Sequence, residues 1–275
     1  MCKTEGEAKR DKNVEAAKLV LLGAVCGDIV GSYYEGCSTK DYDFRPFTTY
    51  SRFTDDTVCS IGIADALIHD EPFEGRLQYW CRKYPRAGYG GMFRRWIYSD
   101  TMEPYNSWGN GSAMRVSAVG AYGNSLEEVM ELAKRSAEVT HNHSEGIKGA
   151  QATAAAIYLA LTGKSKSEIK SFIEERVGYD LSRRYDDIQP DYRFDVSCQG
   201  SVPESIICFL ESKDYESAIR KAIAMGGDAD TMAAITGGIA AAFYGEIPDN
   251  TLKECWDRLP EEMRKVIEKF NQKIG

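Results

Sequence analysis

Residues 54–68 read Thr-Asp-Asp-Thr-Val-Cys-Ser-Ile-Gly-Ile-Ala-Asp-Ala-Leu-Ile, a short acidic segment followed by an apolar run. The apolar part predicts a helix, and the acidic part lies at the start of that helix. Far downstream, residues 226–231 read Gly-Gly-Asp-Ala-Asp-Thr and precede a second apolar run, residues 232–244. Each segment therefore places two carboxylates and a threonine hydroxyl in the first turn of a predicted helix.

Two explanations fit these acidic helix starts. Carboxylate and hydroxyl oxygens are hard donors that suit Mg²⁺ or Mn²⁺. Threonine and aspartate are also common helix caps, because they accept hydrogen bonds from the free N–H groups at a helix N-terminus. Capping explains either cluster alone, whereas the repetition of the pattern favours a shared metal site. The sequence thus predicts a two-metal site at the ends of the chain's two most apolar helices.

Composition narrows the class of protein. The chain has 275 residues, 43% hydrophobic content and a formal net charge of −8. The negative charge argues against a groove for duplex nucleic acid, which needs a concentrated basic patch. No apolar run approaches the roughly 18 residues that predict a membrane span, and the N-terminus lacks the apolar centre of a signal peptide. We therefore expect a cytoplasmic protein without a membrane segment, and a monomer, since no heptad pattern stands out.

The periodicity of the whole chain is helical. Strict two-residue alternation is hard to find, so the pattern predicts an all-α protein of about a dozen helices without a sheet. A site shared by residues 54–57 and 226–231 requires the fold to close on itself, which argues against two separate domains. We expect a single compact, orthogonal multi-helix domain over residues 14–275 with a dinuclear metal cleft. Residues 1–13 are predicted to form a charged, flexible tail.

The first predicted helix runs over about residues 14–30, and Gly23, Gly27 and Gly31 follow one another at four-residue spacing along it and at its end. Interior glycines cost roughly 1 kcal/mol each relative to alanine, so such a stripe indicates close contact with another helix. Glu35 follows near the end of this helix, where the helix dipole disfavours an acid. That position is a hint that Glu35 has another task.

The middle of the chain offers weaker signals. Residues 109–115 read Gly-Asn-Gly-Ser-Ala-Met-Arg and open a predicted helix that ends at residue 121. Small residues there leave backbone N–H groups accessible to a phosphate. Two stretches, residues 85–110 and 178–201, are predicted to be irregular, and a later helix is predicted to begin at Pro203.

The histidines argue against a histidine-rich zinc site, and the cysteines give no indication of a disulfide framework. The three histidines do not form a zinc-binding motif, because His141 and His143 are two residues apart and would not share a helix face. His141 precedes a helix, where it could donate to an anionic ligand. The eight cysteines contain no Cys-x-x-Cys pair and are interpreted as reduced and mostly structural.

These segments together resemble the ADP-ribosylglycohydrolase family, an all-α group that includes the dinitrogenase reductase-activating glycohydrolase and the ADP-ribosyl-acceptor hydrolases. The resemblance rests on five segments in the family's order, which span most of the chain. They are Gly27-Asp28-x-x-Gly31-x-x-x-Glu35, Phe53-Thr54-Asp55-Asp56-Thr57, residues 109–115, Thr140-His141 and residues 226–231.

The resemblance implies two divalent cations, Mg²⁺ or Mn²⁺, with Asp230 as the bridging ligand. The implied metal ligands are Thr54, Asp55, Asp56, Asp228, Asp230 and Thr231. The implied substrate-binding residues are Glu35, Asn110, Gly111, Ser112, Met114 and His141. The resemblance implies that Asn110, Gly111, Ser112 and Met114 offer backbone donors to the phosphates and distal ribose. It also implies that His141 approaches the diphosphate and that Glu35 corresponds to the glutamate of the family's mobile loop.

The implied reaction is metal-dependent hydrolysis of the N- or O-glycosidic bond between ADP-ribose and an acceptor, with release of ADP-ribose. Asp56 and Glu35 are the candidate catalytic residues, since a carboxylate can take a proton from water. The expected partner is an ADP-ribosylated substrate or ADP-ribose itself. Two alternatives stay open: a non-catalytic ADP-ribose-binding or structural relative, and a metal-dependent phosphoester hydrolase. The motifs do not specify the acceptor.

Overall fold

Helices α1 (Val14–Gly36) and α13 (Ala229–Tyr244) lie against each other at the centre of the molecule. The computed structural model describes residues 13–275. A Cβ atom at Gly27 would lie 2.0 Å from the carbonyl oxygen of Ala233, and one at Gly31 would lie 2.6 Å from that of Ala229. The glycine stripe therefore marks a close helix–helix contact, as predicted, and the partner is the helix that carries the second acidic cluster.

The all-α prediction is confirmed. Residues 13–275 form fifteen α-helices and one π-helical segment without a β-strand; an isolated bridge joins Gly109 and Ser197. The other elements are α2 (Asp55–His69), α3 (Phe73–Lys83), α4 (Gly91–Ile97), α5 (Gly111–Met114), α6 (Ser117–Tyr122), α7 (Leu126–Glu138), α8 (Ser144–Leu161), α9 (Lys166–Phe172), the π-helix (Ile173–Val177), α10 (Tyr185–Ile188), α11 (Cys198–Leu210), α12 (Tyr215–Ala224), α14 (Asp249–Arg258) and α15 (Glu261–Ile274).

The additional helices are short and lie where the sequence predicted irregular structure. Helix α4 forms within residues 85–110 because Phe93, Trp96 and Ile97 share a face that is buried, although glycines precede them. Helix α10 lies within residues 178–201. The helix predicted from residue 109 to 121 is interrupted between α5 and α6.

Helix α11 begins five residues before Pro203, where the prediction placed its start. Ser197 caps it by accepting a hydrogen bond from the Gly200 amide at 3.1 Å. Pro203 cannot donate an intrahelical hydrogen bond, but its ring is buried within the helix. The cap and the packing therefore outweigh the helix-breaking tendency of proline.

The central pair is surrounded by other helices. Every residue of α13 from Ala229 to Ala242 is buried, as expected for a helix that is apolar on all sides. Helices α8, α11 and α12 contact α13, and α2, α6, α14 and α15 contact α1. Within the described chain, no helix combines the length and hydropathy that crossing a membrane requires.

The chain's start and its cysteines complete the description. The predicted tail lies outside the described residues except for Asn13, which caps α1 by accepting a hydrogen bond from the Ala16 amide at 3.2 Å. The described cysteines are all free thiols, and all but Cys37 are buried. Those in α1, α2 and α11 contribute to the apolar core.

The segment between α1 and α2, residues 37–53, is fastened by Lys40. Its Nζ donates to the carbonyl oxygens of Gln189 at 2.5 Å, Met225 at 2.5 Å and Tyr192 at 2.9 Å. Met225 immediately precedes the Gly-Gly-Asp segment. One ammonium group thus ties together three segments that border the two acidic clusters.

We predict that Gly27→Ala destabilises the protein. The added methyl group would overlap the backbone of α13, and we expect the free energy of unfolding to fall by about 1–3 kcal/mol. The measurement is urea unfolding followed by circular dichroism. Gly75→Ala is the matched control, because a Cβ there meets no atom within 4 Å and alanine favours the helix by up to about 1 kcal/mol. Equal stability of both variants would contradict the close contact.

Candidate functional site

The N-terminal ends of α2 and α13 meet at one cleft, together with α1. Ligand atoms of Asp28, Asp56 and Asp230 lie within 4.8 Å of one another. A second group that meets the same limit consists of Glu35, Asp228 and Asp230. The fold therefore joins the two acidic clusters, and Asp230 belongs to both groups.

Asp28 holds the first turn of α2 in place. It is fully buried in α1, and its Oδ2 accepts hydrogen bonds from the Thr54 amide at 2.9 Å and the Thr57 amide at 3.1 Å. The hydroxyl of Thr54 donates to Oδ1 at 2.7 Å, and that of Thr57 also donates to Oδ2. Four donors from one helix start thus converge on a single carboxylate.

Asp56 lines the cleft and has one oxygen atom without a hydrogen-bond partner. Its Oδ2 accepts from the hydroxyls of Thr54 at 3.4 Å and Thr231 at 3.3 Å. Its Oδ1 is buried and has no hydrogen-bond partner. An unpaired buried oxygen costs free energy, and a bound cation would satisfy it.

Asp228 is oriented from the opposite side. The Nδ2 atom of Asn110 donates to its Oδ2 at 2.8 Å and also to the hydroxyl of Ser201 at 3.2 Å. The side chain of Asn110 therefore serves the acidic cluster. This role was not predicted, since the sequence assigned Asn110 to the substrate through its backbone.

The buried carboxylates of the cluster repel one another, and a positive charge between them would stabilise their ionised forms. Burial raises the pKa of Asp56 and Asp230 well above the usual range, and the neighbouring carboxylates raise it further. Burial and the charge of Asp28 raise the pKa of Asp55 to about 7. No ion pair in the described chain neutralises these groups. Closely spaced carboxylates without a counter-charge fit the donor set of Mg²⁺ or Mn²⁺.

Glu35 lies in the last turn of α1 and is exposed to solvent. Burial of part of the side chain raises its pKa, the charges of Asp228 and Asp28 raise it further, and Arg52 opposes the change. Its carboxylate reaches the group formed by Asp228 and Asp230. Glu35 thus joins the site from the rim, as its unfavourable position at the helix end hinted.

The cleft has a volume of about 310 Å³. Of the predicted metal ligands, all line it except Thr54, whose hydroxyl is turned towards Asp28. Of the predicted substrate-binding residues, all line it except Ser112, whose buried hydroxyl donates to the Gly146 carbonyl at 2.6 Å. The roles of the lining residues as ligands stay predictions.

The backbone of residues 110–114 offers fewer free donors than predicted. The Asn110 amide donates to the Val196 carbonyl at 2.8 Å, and the Met114 amide donates to the Asn110 carbonyl at 2.9 Å. The amides of Gly111 and Ser112 have no hydrogen-bond partner among the described residues. Of these two residues only Gly111 lines the cleft, so its N–H group is the one left for an anion there.

The opposite wall and the rim of the cleft are of mixed character. His141 is buried beside Gly111, where an added Cβ would lie 3.1 Å from its Nε2 atom. At the rim, Met92, Phe194 and Val196 are each more than half exposed. Such apolar side chains at the mouth of a pocket are suited to contact a ligand that extends out of it.

A larger cavity, of about 470 Å³, lies elsewhere, between residues 44–49 and helices α12 and α14. Its two acids are already paired, Glu216 with Arg220 at 2.9 Å and Glu254 with Arg258. It therefore lacks the converging unpaired carboxylates of the smaller cleft. The chemistry, and not the volume, identifies the candidate site.

Sequence reasoning missed three contributors to this site. Asp28 and Arg115 stood in the quoted motifs without an assigned role, and Gly88 was not considered. The signal for Asp28 was a carboxylate in the middle of an apolar helix. Gly88 has φ +122°, and a Cβ there would lie 2.9 Å from Oδ1 of Asp55. No sequence signal indicated that approach.

Comparisons with known proteins agree with the motifs. The family model for ADP-ribosylglycohydrolase matches residues 9–274. Human ADP-ribosylhydrolase ARH3 is 28% identical over 90% of this chain and 93% of its own length. ADP-ribosylarginine hydrolase Tri1 of Pseudomonas putida is 24% identical over 86% of this chain and 72% of its own. A solved structure described as an "ADP-ribosylglycohydrolase-related protein complex" has a TM-score of 0.73 at 24% identity, covering 96% of this chain and 99% of that one.

We predict that Asp230→Asn stabilises the metal-free protein. Because the pKa of Asp230 is raised, its ionised form is disfavoured in the folded chain at neutral pH. Removal of that charge should raise the free energy of unfolding by on the order of 1 kcal/mol or more. The measurement is urea unfolding in a chelating buffer at pH 7. The control is Asp100→Asn, because Asp100 is exposed to solvent. If Asp230→Asn were less stable than the wild type, the Asp230 carboxylate would be needed for the stability of the fold.

Proposed function

The chain belongs to the ADP-ribosylglycohydrolase family, and we propose that it hydrolyses the N- or O-glycosidic bond between ADP-ribose and an acceptor in a metal-dependent reaction. The observation that carries this proposal is the convergence of five carboxylates on one cleft, with Asp28 buried next to Asp56 and Asp230 and, among the described residues, no ion pair from a basic residue to these aspartates. Both named relatives are hydrolases of ADP-ribosyl compounds by their names.

The proposed metal ligands are Thr54, Asp55, Asp56, Asp228, Asp230 and Thr231. The free Oδ1 of Asp56 and the shared position of Asp230 support the assignment of two sites with Asp230 between them. Two divalent cations, when bound, would supply positive charge that stabilises developing negative charge and makes a nearby water more acidic. Mg²⁺ and Mn²⁺ both suit this donor set.

The protein's own residues would then position the substrate and move one proton. Water attacks the anomeric C1 of the ribose and the bond from C1 to the acceptor breaks. The acceptor takes up one proton, which balances the proton that the attacking water loses to a carboxylate. Asp56 or Glu35 accepts the proton of the attacking water. Asp56 is favoured by its free oxygen atom, and Glu35 by its access to solvent at the rim.

The phosphate groups would lie at the other wall. The free amide of Gly111 and the imidazole of His141 are the donors proposed for the diphosphate, as N–H groups directed at anionic oxygens, whereas Ser112 does not line the cleft. Asn110 and Met114 would line the same wall. The exposed apolar side chains at the rim are proposed to contact either the adenine or the acceptor. The described residues favour neither of the two.

Two other functions predict different products. A phosphoester hydrolase with paired cations would split ADP-ribose between its phosphates and release AMP, whereas glycosidic cleavage leaves ADP-ribose intact. A purely binding or structural relative would release neither, and the complete acidic set gives no support to it. The monomeric state and the cytoplasmic location stay predictions, and the acceptor is not specified.

We predict that Asp56→Asn lowers turnover by orders of magnitude and leaves the helical content unchanged. The variant removes the carboxylate charge and replaces one of its two oxygen atoms with an NH₂ group, and the neutral amide oxygen that is left binds a cation more weakly. The measurement is release of ADP-ribose from ADP-ribosylated arginine, ADP-ribosylated serine and O-acetyl-ADP-ribose, with circular dichroism of each protein. Asp100→Asn serves as the control, and near-normal turnover of Asp56→Asn would contradict the assignment.

We also predict that ADP-ribose binds to the wild-type protein in the presence of Mg²⁺ and that a chelator abolishes binding. The acidic cleft repels the diphosphate until cations neutralise it. Isothermal titration calorimetry with and without Mg²⁺ measures this. No binding in either state would favour the structural alternative, and AMP among the products would favour the phosphoester hydrolase.

A further inference from the structure

Arg115 is a fully buried cation without an ionic partner among the described residues. Its guanidinium donates to the Ser136 carbonyl at 2.8 Å and to the hydroxyl of Thr140 at 2.9 Å, and its Nε atom has no partner. A buried charge without a counter-charge costs free energy. Arg115 also lines the cleft, so its positive charge lies close to any ligand there. Its hydrogen bonds show which side chains it orients.

Thr140 connects Arg115 to His141 through two hydrogen bonds. Its Oγ1 lies within hydrogen-bond distance of the guanidinium and of His141 Nδ1, the latter at 2.7 Å. A guanidinium can only donate, so Oγ1 accepts from Arg115. Thr140 is fully buried, and in the described chain its own hydrogen has no other acceptor than His141 Nδ1. The hydroxyl therefore donates to the imidazole.

The consequence for His141 is a single protonation form. A ring nitrogen that accepts a hydrogen bond carries no hydrogen, so the neutral imidazole carries its hydrogen on Nε2. Burial lowers the pKa of His141 well below its usual value, and the charge of Arg115 lowers it further. Nε2 has no hydrogen-bond partner among the described residues and lies beside Gly111.

We propose that Arg115 and Thr140 are positioning residues that fix His141 as the neutral tautomer with its hydrogen on Nε2. This hydrogen is presented to the cleft as a donor for an anionic phosphate oxygen. The tautomer follows from the hydrogen bonds alone, whereas the identity of the anion rests on the proposed function. The Arg115 charge thus reaches the ligand through two polarised hydrogen bonds.

The backbone around Nε2 is consistent with this role. A Cβ atom at Gly111 would lie 3.1 Å from Nε2, and one at Gly109 would lie 3.6 Å from it. The two glycines leave room at the nitrogen that carries the hydrogen. The free amide of Gly111 follows directly, so the imidazole and the backbone donors border the same space.

The tautomer can be measured by ¹⁵N nuclear magnetic resonance of histidine-labelled protein, without metal or ligand. The chain has only three histidines, so His69→Gln and His143→Gln assign the signals. We expect the Nε2–H pattern for His141 in the wild type and in Thr140→Ser, which keeps the hydroxyl. Thr140→Val removes the donor to Nδ1, and we expect a mixture of tautomers.

An Nδ1–H pattern in the wild type, or an unchanged pattern in Thr140→Val, would overturn the proposal. Arg115→Met is the direct test of the cation, because it frees Thr140 to accept from Nδ1 and should also give a mixture. Since Arg115 is fully buried, this variant can fail to fold, and in that case the two Thr140 variants decide. Thermal unfolding of each variant establishes that it is folded.

Binding of ADP-ribose in Mg²⁺ tests the second step. We expect the Nε2 signal of His141 to shift on binding, and Thr140→Val to weaken the affinity by about tenfold, the loss expected for one hydrogen bond to a charged group. Thr140→Ser should restore the affinity, and Mg²⁺ affinity should not change. An unchanged ADP-ribose affinity in Thr140→Val would overturn the donor role. No ADP-ribose binding by the wild type would overturn the proposed function and the donor role together, while the metal-free spectrum still decides the tautomer.

Discussion

The contact between α1 and α13 is the constraint on which the site depends. Gly27 lies so close to the Ala233 carbonyl that no larger residue fits between the two helices at this point. Asp28 follows Gly27 directly, and Asp230 lies one turn before Ala233, so this close contact also sets the two acids near each other. The start of α2 then binds to Asp28 through four hydrogen bonds, which adds the first acidic cluster.

The acids of this cluster have different tasks because their hydrogen bonds differ. Asp28 is saturated by donors of Thr54 and Thr57 and acts on the helix start, whereas Asp56 keeps an oxygen atom without a partner. Burial and mutual repulsion disfavour the ionised forms of Asp56 and Asp230. The apolar packing of the central helices offsets this unfavourable free energy and holds the carboxylates close together. A bound cation would reduce the repulsion between them.

The sequence predicted most of the helices well and the tertiary contacts between them poorly. Helix α12 has the predicted bounds, Tyr215–Ala224, because an aspartate cap and a clear amphipathic pattern define it. The starts of α2 and α13 were predicted because an acidic segment precedes an apolar run at each of them. That Asp28 binds the start of α2 depends on a contact between residues 26 positions apart, which periodicity does not encode. The early start of α11 and the formation of α4 likewise depend on burial in the tertiary structure.

The two walls of the cleft have opposite electrostatic character, and Asn110 and Gly111 mark the boundary. The side chain of Asn110 holds Asp228, while the next residue, Gly111, faces the imidazole of His141. Behind the imidazole lies the unpaired charge of Arg115, linked to it by Thr140. An anionic group is therefore repelled by the acidic wall, as long as no cation is bound there, and attracted by the wall behind which Arg115 lies. For the proposed substrate, this difference favours the diphosphate beside His141 and a ribose beside the carboxylates. Both walls would then contact the ADP-ribosyl part of the substrate, and for this reason the residues that define the family do not reveal the acceptor.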